Sequence, residues 1–226
     1  MKRKNSIVNR EIYEDTTSIL FESFQRLQVN LEYASIDSKY QVISCVSSTK
    51  GEGKTTSLLN LAYVYSLKGF KVLVIDLDLR APNVHHFFNI SNDKGITDYL
   101  AGKVGEEEII HKNIKENYDV ITAGSRVPFP AKVLESHKII EFLEKLKKNY
   151  DYIFVDTSPL LLFADTLIIS KFIDAFIFVT SVNVSKKNEI KEATKLIKTN
   201  NLNVVGSIVC QVPLTKRQNK YGYYGY

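Results

Sequence analysis

Ten consecutive residues, Ser47 to Thr56, have the types and spacing to hold a nucleotide's phosphates: Ser-Ser-Thr-Lys-Gly-Glu-Gly-Lys-Thr-Thr. Gly51 and Gly53 let the backbone turn so that successive N–H groups aim inward at phosphate oxygens. Lys54 reaches the β- and γ-phosphates, and the Thr55 hydroxyl suits Mg2+. The usual first glycine of G-x-x-x-x-G-K-[ST] is Ser48 here. Thr49, Lys50, Gly51, Glu52, Gly53, Lys54, Thr55 and Thr56 form the candidate nucleotide-binding set. Two further stretches deliver carboxylates. Val72-Leu73-Val74-Ile75 is an apolar run that ends in Asp76-Leu77-Asp78-Leu79-Arg80, and Tyr152-Ile153-Phe154-Val155 ends in Asp156. An acid at the end of a buried strand lies where open α/β sheets bind ligands. Three such acids opposite a P-loop describe a Mg·nucleotide site, with Thr55, Asp76 and Asp156 as candidate metal ligands. Arg80 reads equally well as an ion pair that fixes the Asp-x-Asp loop and as a solvated helix-start residue.

These residues need strands to carry them to one edge. Residues 41–47, 71–76, 118–122, 151–156, 175–180 and 203–209 read as strands, mostly as continuous apolar runs that imply burial on both faces. Between them lie amphipathic segments. Residues 55–68 place Leu58, Leu59, Ala62 and Leu67 on one side, with Gly69 closing the helix. Residues 132–148 do the same with Ile139, Ile140, Leu143 and Leu146, and 186–200 form a Lys-rich helix. The alternation predicts an α/β fold, a doubly wound, mostly parallel sheet flanked by helices. Ahead of it, Leu20, Phe24, Leu27 and Leu31 make a helical stripe over about 16–35, with Asp15-Thr16 as the N-cap region. This helix must pack on the body or on another subunit. Residues 1–213 thus read as a single domain and 214–226 as a flexible tail.

Composition narrows the partners. Of the net charge of +5, four cations fall in residues 1–10 and three in 214–226, with no acid in either stretch. The body between them is mildly acidic, so no broad basic surface for nucleic acid is expected. Basic ends favour an anionic membrane face or an acidic partner, or are solvated termini. Cys45 and Cys210 both sit in apolar runs that read as buried strands, and two such cysteines make neither a disulfide framework nor a metal site. A reduced, cytoplasmic setting is expected. No apolar stretch reaches the ~18–20 residues that span a bilayer. The chain has 13 Tyr and no Trp, and Tyr221, Tyr223, Tyr224 and Tyr226 crowd its last six residues.

A P-loop, an Asp-x-Asp-x-Arg strand and a strand ending in Asp-x-x-Pro together resemble the signature of the bacterial tyrosine kinases of capsule and exopolysaccharide assembly. These share the deviant-Walker fold of the MinD/ParA ATPases. Asp76 to Pro82 with His85, Gly95 to Leu100, Ala123-Gly124 and Pro130 to Ser136 also look like family landmarks. The terminal Tyr-Gly repeat resembles the cluster that these kinases phosphorylate on one another. MinD and ParA carry a signature Lys where Thr49 stands, with Lys50 one step off. The family's ring-assembly motif, Glu-x-x-Arg-x-x-Arg, is matched by Glu22, Gln25 and Gln28. Both arginines are absent, and Gln does not replace bidentate pairing at equal strength. Cys210 and Gln211 stand where related ATPases often place an Asn near adenine.

The resemblance implies a protein-tyrosine autokinase that uses ATP and Mg2+, with Lys54, Asp76, Asp78 and Asp156 as its catalytic residues and either Asp76 or Asp78 meeting the tyrosine hydroxyl. It implies phosphorylation of Tyr221, Tyr223, Tyr224 and Tyr226 in trans, hence self-association, and a cognate tyrosine phosphatase. It further implies a transmembrane activator that recruits the chain to the inner face of the cell membrane. The stretch Pro159 to Phe163 is a candidate docking surface or a buried helix start. A MinD/ParA-type ATPase and a weakly catalytic nucleotide-binding regulator are the competing classes.

Overall fold

The computed structural model describes residues 18–36 and 38–213; the tyrosine cluster and residues 1–17 lie outside the described residues. Helix α1 (Ile19–Ala34) precedes strand β1 (Val42–Ser47) and helix α2 (Lys54–Leu67). Then come β2 (Val72–Asp76), α3 (Val84–Phe88), α4 (Ile96–Leu100), α5 (Glu106–Ile109), β3 (Ile110–Lys115) and β4 (Tyr118–Ile121). The remainder runs α6 (Pro130–Leu134), α7 (His137–Lys147), β5 (Tyr152–Asp156), α8 (Asp165–Ile169), β6 (Ala175–Ser181), α9 (Lys187–Thr199) and β7 (Val204–Cys210). The sheet has seven strands in the order β3-β4-β2-β5-β1-β6-β7, and every pairing is parallel except β3 with β4. This is the doubly wound fold that the strand–helix alternation predicts.

Strand pleating divides the core in two. Leu73, Ile75, Ile153 and Val155 face one side with Phe142, Leu143 and Leu146 of α7. Val72, Val74 and Phe154 face the other with Leu58, Leu59, Leu61 and Tyr65 of α2 and with Phe21, Phe24 and Leu31 of α1. The first helix therefore packs on the body. A Lys68–Glu32 ion pair at 3.3 Å ties its end to α2. Its N-cap is Ser18, which accepts from the Phe21 N–H at 3.1 Å, so the helix starts later than 16. Gln25 is half-buried and Gln28 is fully buried.

Several local expectations need correction. Helix α2 is not amphipathic: every side chain from Ser57 to Ser66 is buried, while Leu67 is exposed. It is sandwiched between the sheet and α1, so it has no broad wet face. The expected helix over 132–148 is two helices, because Pro130 opens α6 and the chain breaks at Glu135-Ser136 before α7. Strand β3 was not foreseen. Its Ile-His-Lys-Asn-Ile-Lys sequence is polar enough for an exposed edge, and Asn113 and Asn117 take left-handed conformations (φ 54° and 57°) around the hairpin. Strand β7 is the other edge and only half-buried, so Cys210 is half-buried whereas Cys45 is fully buried.

Candidate active site

The parallel strands end on one edge, and the loops after β1, β2 and β5 meet there. The loop after β1 turns through Gly51 (φ 82°) and Gly53 (φ 96°), a backbone region costly for side chains with a Cβ. A Cβ on Gly53 would also lie 3.0 Å from Cys210 Sγ. The Glu52 carboxylate is buried and braces the loop from within. It accepts from the Thr49 N–H at 2.8 Å and from the Ser185 hydroxyl beyond β6. Glu52 thus belongs to the loop's architecture, and what its position offers a phosphate is backbone. Thr49 is half-buried, Lys50 and Gly51 are exposed, and Thr55 and Thr56 stand half-buried at the start of α2.

Lys54 and Asp156 form a buried ion pair, and the Thr55 hydroxyl donates to the other Asp156 oxygen at 2.7 Å. Burial alone would lower the Lys54 pKa. The charge and hydrogen bond of Asp156, then Asp78 and Asp76, outweigh it and hold the ammonium above its usual value. Asp76 and Asp156 are register partners across β2 and β5. Burial, followed by the Asp156 charge, pushes the Asp76 carboxyl up to about 8. Both Asp76 oxygens are engaged by backbone: Oδ1 accepts from the Asp78 N–H, and Oδ2 from the Asn83 and Val84 N–H groups, each at 3.1 Å. Asp76 therefore folds the 77–84 loop around itself.

Asp78 is buried too, but it is used differently. Its Oδ1 accepts from the Ser158 hydroxyl at 2.9 Å and from the Ala81 N–H at 3.2 Å. No hydrogen bond engages Oδ2 among the described residues. Arg80 is an ion-pairing residue: its Nε and Nη2 reach Asp165 Oδ2 and Oδ1 at 2.6 and 2.9 Å. Its guanidinium also lies 4.2 Å from the Phe163 ring centroid. Ser158, Asp165 and Ser185 were missed as site residues. Asp165 left a signal, since an acid inside the apolar run from Pro159 to Thr180 must be paired if it is buried. In the Pro159 to Phe163 stretch, Leu160 is buried and Leu162 exposed, and the helix that follows starts only at Asp165.

The donor set fits a hard cation. A hydroxyl on Thr55 and carboxylates on Asp76 and Asp156 are all oxygen ligands. Among the described residues no group of three or more His, Cys, Asp or Glu forms a metal cage. That suits an ion that completes its shell with phosphate and water. Cys210 Sγ lies 3.4 Å from Ser57 Oγ and packs beneath Gly53, so it supports the loop, while the Gln211 amide oxygen accepts from Ser181 Oγ at 2.9 Å. The landmarks Gly95 to Leu100 and Ala123-Gly124 interlock with each other. A Cβ on Gly95 would meet the Gly124 nitrogen at 2.3 Å, and Asp98 accepts from the Gly95 and Ser125 N–H groups.

The family described as an AAA domain matches residues 40–201. Tyrosine-protein kinase YwqD of Bacillus subtilis (strain 168) is 33% identical over 226 residues, covering 99% of this chain and 95% of YwqD. The chain belongs to the bacterial tyrosine kinases. Solved structures share the fold of this kinase. The chimerical protein CapA2B2 superposes with a TM-score of 0.88 at 28% identity, over 93% of this chain and 92% of that one. The kinase domain of Escherichia coli tyrosine kinase ETK gives 0.86 at 26% identity, over 100% and 86%. The septum site-determining protein MinD of Pyrococcus horikoshii superposes with a TM-score of 0.64 at 26% identity, over 78% of this chain and 72% of that one, so MinD is a fold relative of this kinase.

Proposed function

We propose that this kinase transfers the γ-phosphoryl group of Mg·ATP to Tyr221, Tyr223, Tyr224 and Tyr226 of a neighbouring copy, in the service of capsular or exopolysaccharide synthesis. The observation that carries the reading is the meeting of Lys54, Thr55, Asp76, Asp78 and Asp156 at one sheet edge, in a chain whose end is a tyrosine cluster. The loop amides and Lys54 hold the triphosphate. Thr55, Asp156 and Asp76 hold Mg2+, which neutralises phosphate charge when bound. Asp78 orients the tyrosine hydroxyl and takes its proton, because its Oδ1 is held by Ser158 and Ala81 while no hydrogen bond among the described residues engages its Oδ2. A tyrosine with a pKa near ~10 needs that help at neutral pH. The bond to the leaving ADP breaks as the new phosphate ester forms.

Four phosphates add about 6–8 negative charges to a tail that carries three cations, reversing its sign. That reversal switches the chain between assembled and dispersed forms, and a cognate phosphatase resets it. No helix among the described residues is long and apolar enough to cross a membrane. As the resemblance to the capsule kinases implies, a transmembrane activator holds this kinase at the inner membrane face. The test is to incubate the purified chain with Mg·ATP, with and without the cytosolic segment of that activator, and to probe for phosphotyrosine. Signal in the wild type and none in Lys54→Met supports the reading; no signal under either condition contradicts it.

A further inference from the structure

We propose that Ser158 and Asp165 are positioning residues that hold Asp78 in the pose that meets the tyrosine hydroxyl; the inference rests on the kinase reading above. Two ties join the loop after β2 to the segment after β5. One is the Ser158 hydroxyl on Asp78 Oδ1 at 2.9 Å. The other is the two-pronged Arg80–Asp165 pair. Ser158 Oγ also lies 3.4 Å from Asp165 Oδ2. A hydroxyl has one proton, and the shorter contact takes it, so Ser158 donates to Asp78. Ser158 cannot drift, because its carbonyl accepts from the Thr166 hydroxyl at 2.5 Å at the start of α8. With Oδ1 held by Ser158 and Ala81, the Asp78 carboxylate has one orientation and presents Oδ2.

Asp165 acts one step further out. It is 1% exposed, and a carboxylate so buried needs the guanidinium of Arg80. The pairing works in both directions, since it also keeps Arg80 occupied. The acids whose charge reaches Arg80 are Asp165 and Asp78. Without Asp165, Arg80 turns to Asp78 and ties up the oxygen that the tyrosine needs. The Phe163 ring under the guanidinium further fixes the direction of Arg80. Arg80 is thus a residue that must be kept away from Asp78, and Asp165 keeps it there.

The experiment uses the full chain, the cytosolic segment of the activator, a peptide of residues 214–226 as phosphate acceptor, and Mg·ATP. Asp165→Asn and Ser158→Ala should each lower kcat by about 10- to 100-fold, with the KM for Mg·ATP and the binding of a fluorescent ATP analogue within about twofold of wild type. Adding Arg80→Ala to Asp165→Asn should recover a large part of the lost kcat, which a merely structural role for Asp165 does not predict. The inference is overturned if kcat is unchanged in both variants. It is also overturned if kcat, ATP affinity and melting temperature fall together, or if the second substitution brings no recovery. An inactive wild type overturns the kinase reading and this inference with it; an active wild type with unaffected variants overturns the inference alone.

Discussion

Asp76 and Asp156 stand side by side at the ends of β2 and β5, paired in register, and they share a buried edge with a single lysine. Ionised together, the two carboxylates carry more negative charge than Lys54 can balance, so without a further cation the Asp76 carboxyl holds its proton.

The first prediction concerns pH. Folding raises the Asp76 pKa from its ordinary 3.8 to about 8, so the folded chain holds that proton more tightly than the unfolded one. This contribution to stability is fully present below pH 4 and is lost as pH rises through about 8. In denaturant titrations without Mg2+, Asp76→Asn should gain on the wild type steadily from pH 5 to about pH 8 and level off above it. A difference that stays flat across this range contradicts the assignment. Added Mg2+ should shrink the gap by stabilising the ionised wild-type site.

Lys54→Met removes both the proposed phosphate ligand and the partner of buried Asp156. Phosphotyrosine formation should fall by at least about a hundredfold, and stability should fall by about 3–5 kcal/mol, the range for a buried pair stripped of one partner. Lys54→Met with Asp156→Asn should regain much of that stability and none of the activity. Denaturant melts and phosphotyrosine assays check the two halves separately.

Gly53 is confined twice, by its φ of 96° and by Cys210 Sγ. Gly53→Ala should cost about 1–2 kcal/mol for the left-handed backbone alone and weaken ATP-analogue binding. Cys210→Ala on top of it relieves the contact and not the backbone, so the double variant should recover only part of the loss. Full recovery in a thermal melt would show that the backbone term is negligible.

The Glu52 brace predicts a defect without loss of any phosphate-contacting side chain. Glu52→Gln weakens its bonds to the Thr49 N–H and the Ser185 hydroxyl. Hydrogen bonds to a charged group carry about 1.5–3 kcal/mol, so ATP-analogue affinity should drop about tenfold. Ser185→Ala should show a smaller drop in the same direction, measured by fluorescence titration.

How far the sequence reveals this molecule follows from what each element must satisfy. Strand β2 is buried on both faces, so an apolar run with a terminal acid announces both the strand and its edge. The loop after β1 must turn at Gly51 and Gly53, and only glycines do so cheaply. Strand β3 escapes because an edge strand with one wet face keeps His111, Lys112 and Asn113, which read as loop. The break between α6 and α7 escapes because the stripe of Ile139, Leu143 and Leu146 lies wholly within α7 and does not show where that helix begins. Asp165 was visible as an acid in an apolar run, but its partner was not. Arg80 is distant in sequence, and only the fold brings the two within 2.6 Å.

The central claim is phosphoryl transfer from ATP to the tail tyrosines of another copy. The most direct measurement mixes two chains with Mg·ATP and the activator's cytosolic segment: a Lys54→Met chain with its tail intact, and an active chain with Tyr221, Tyr223, Tyr224 and Tyr226 changed to Phe. Mass spectrometry then maps the phosphate. The account predicts phosphotyrosine at positions 221–226 of the Lys54→Met chain; an active chain that leaves those tyrosines unmodified contradicts it.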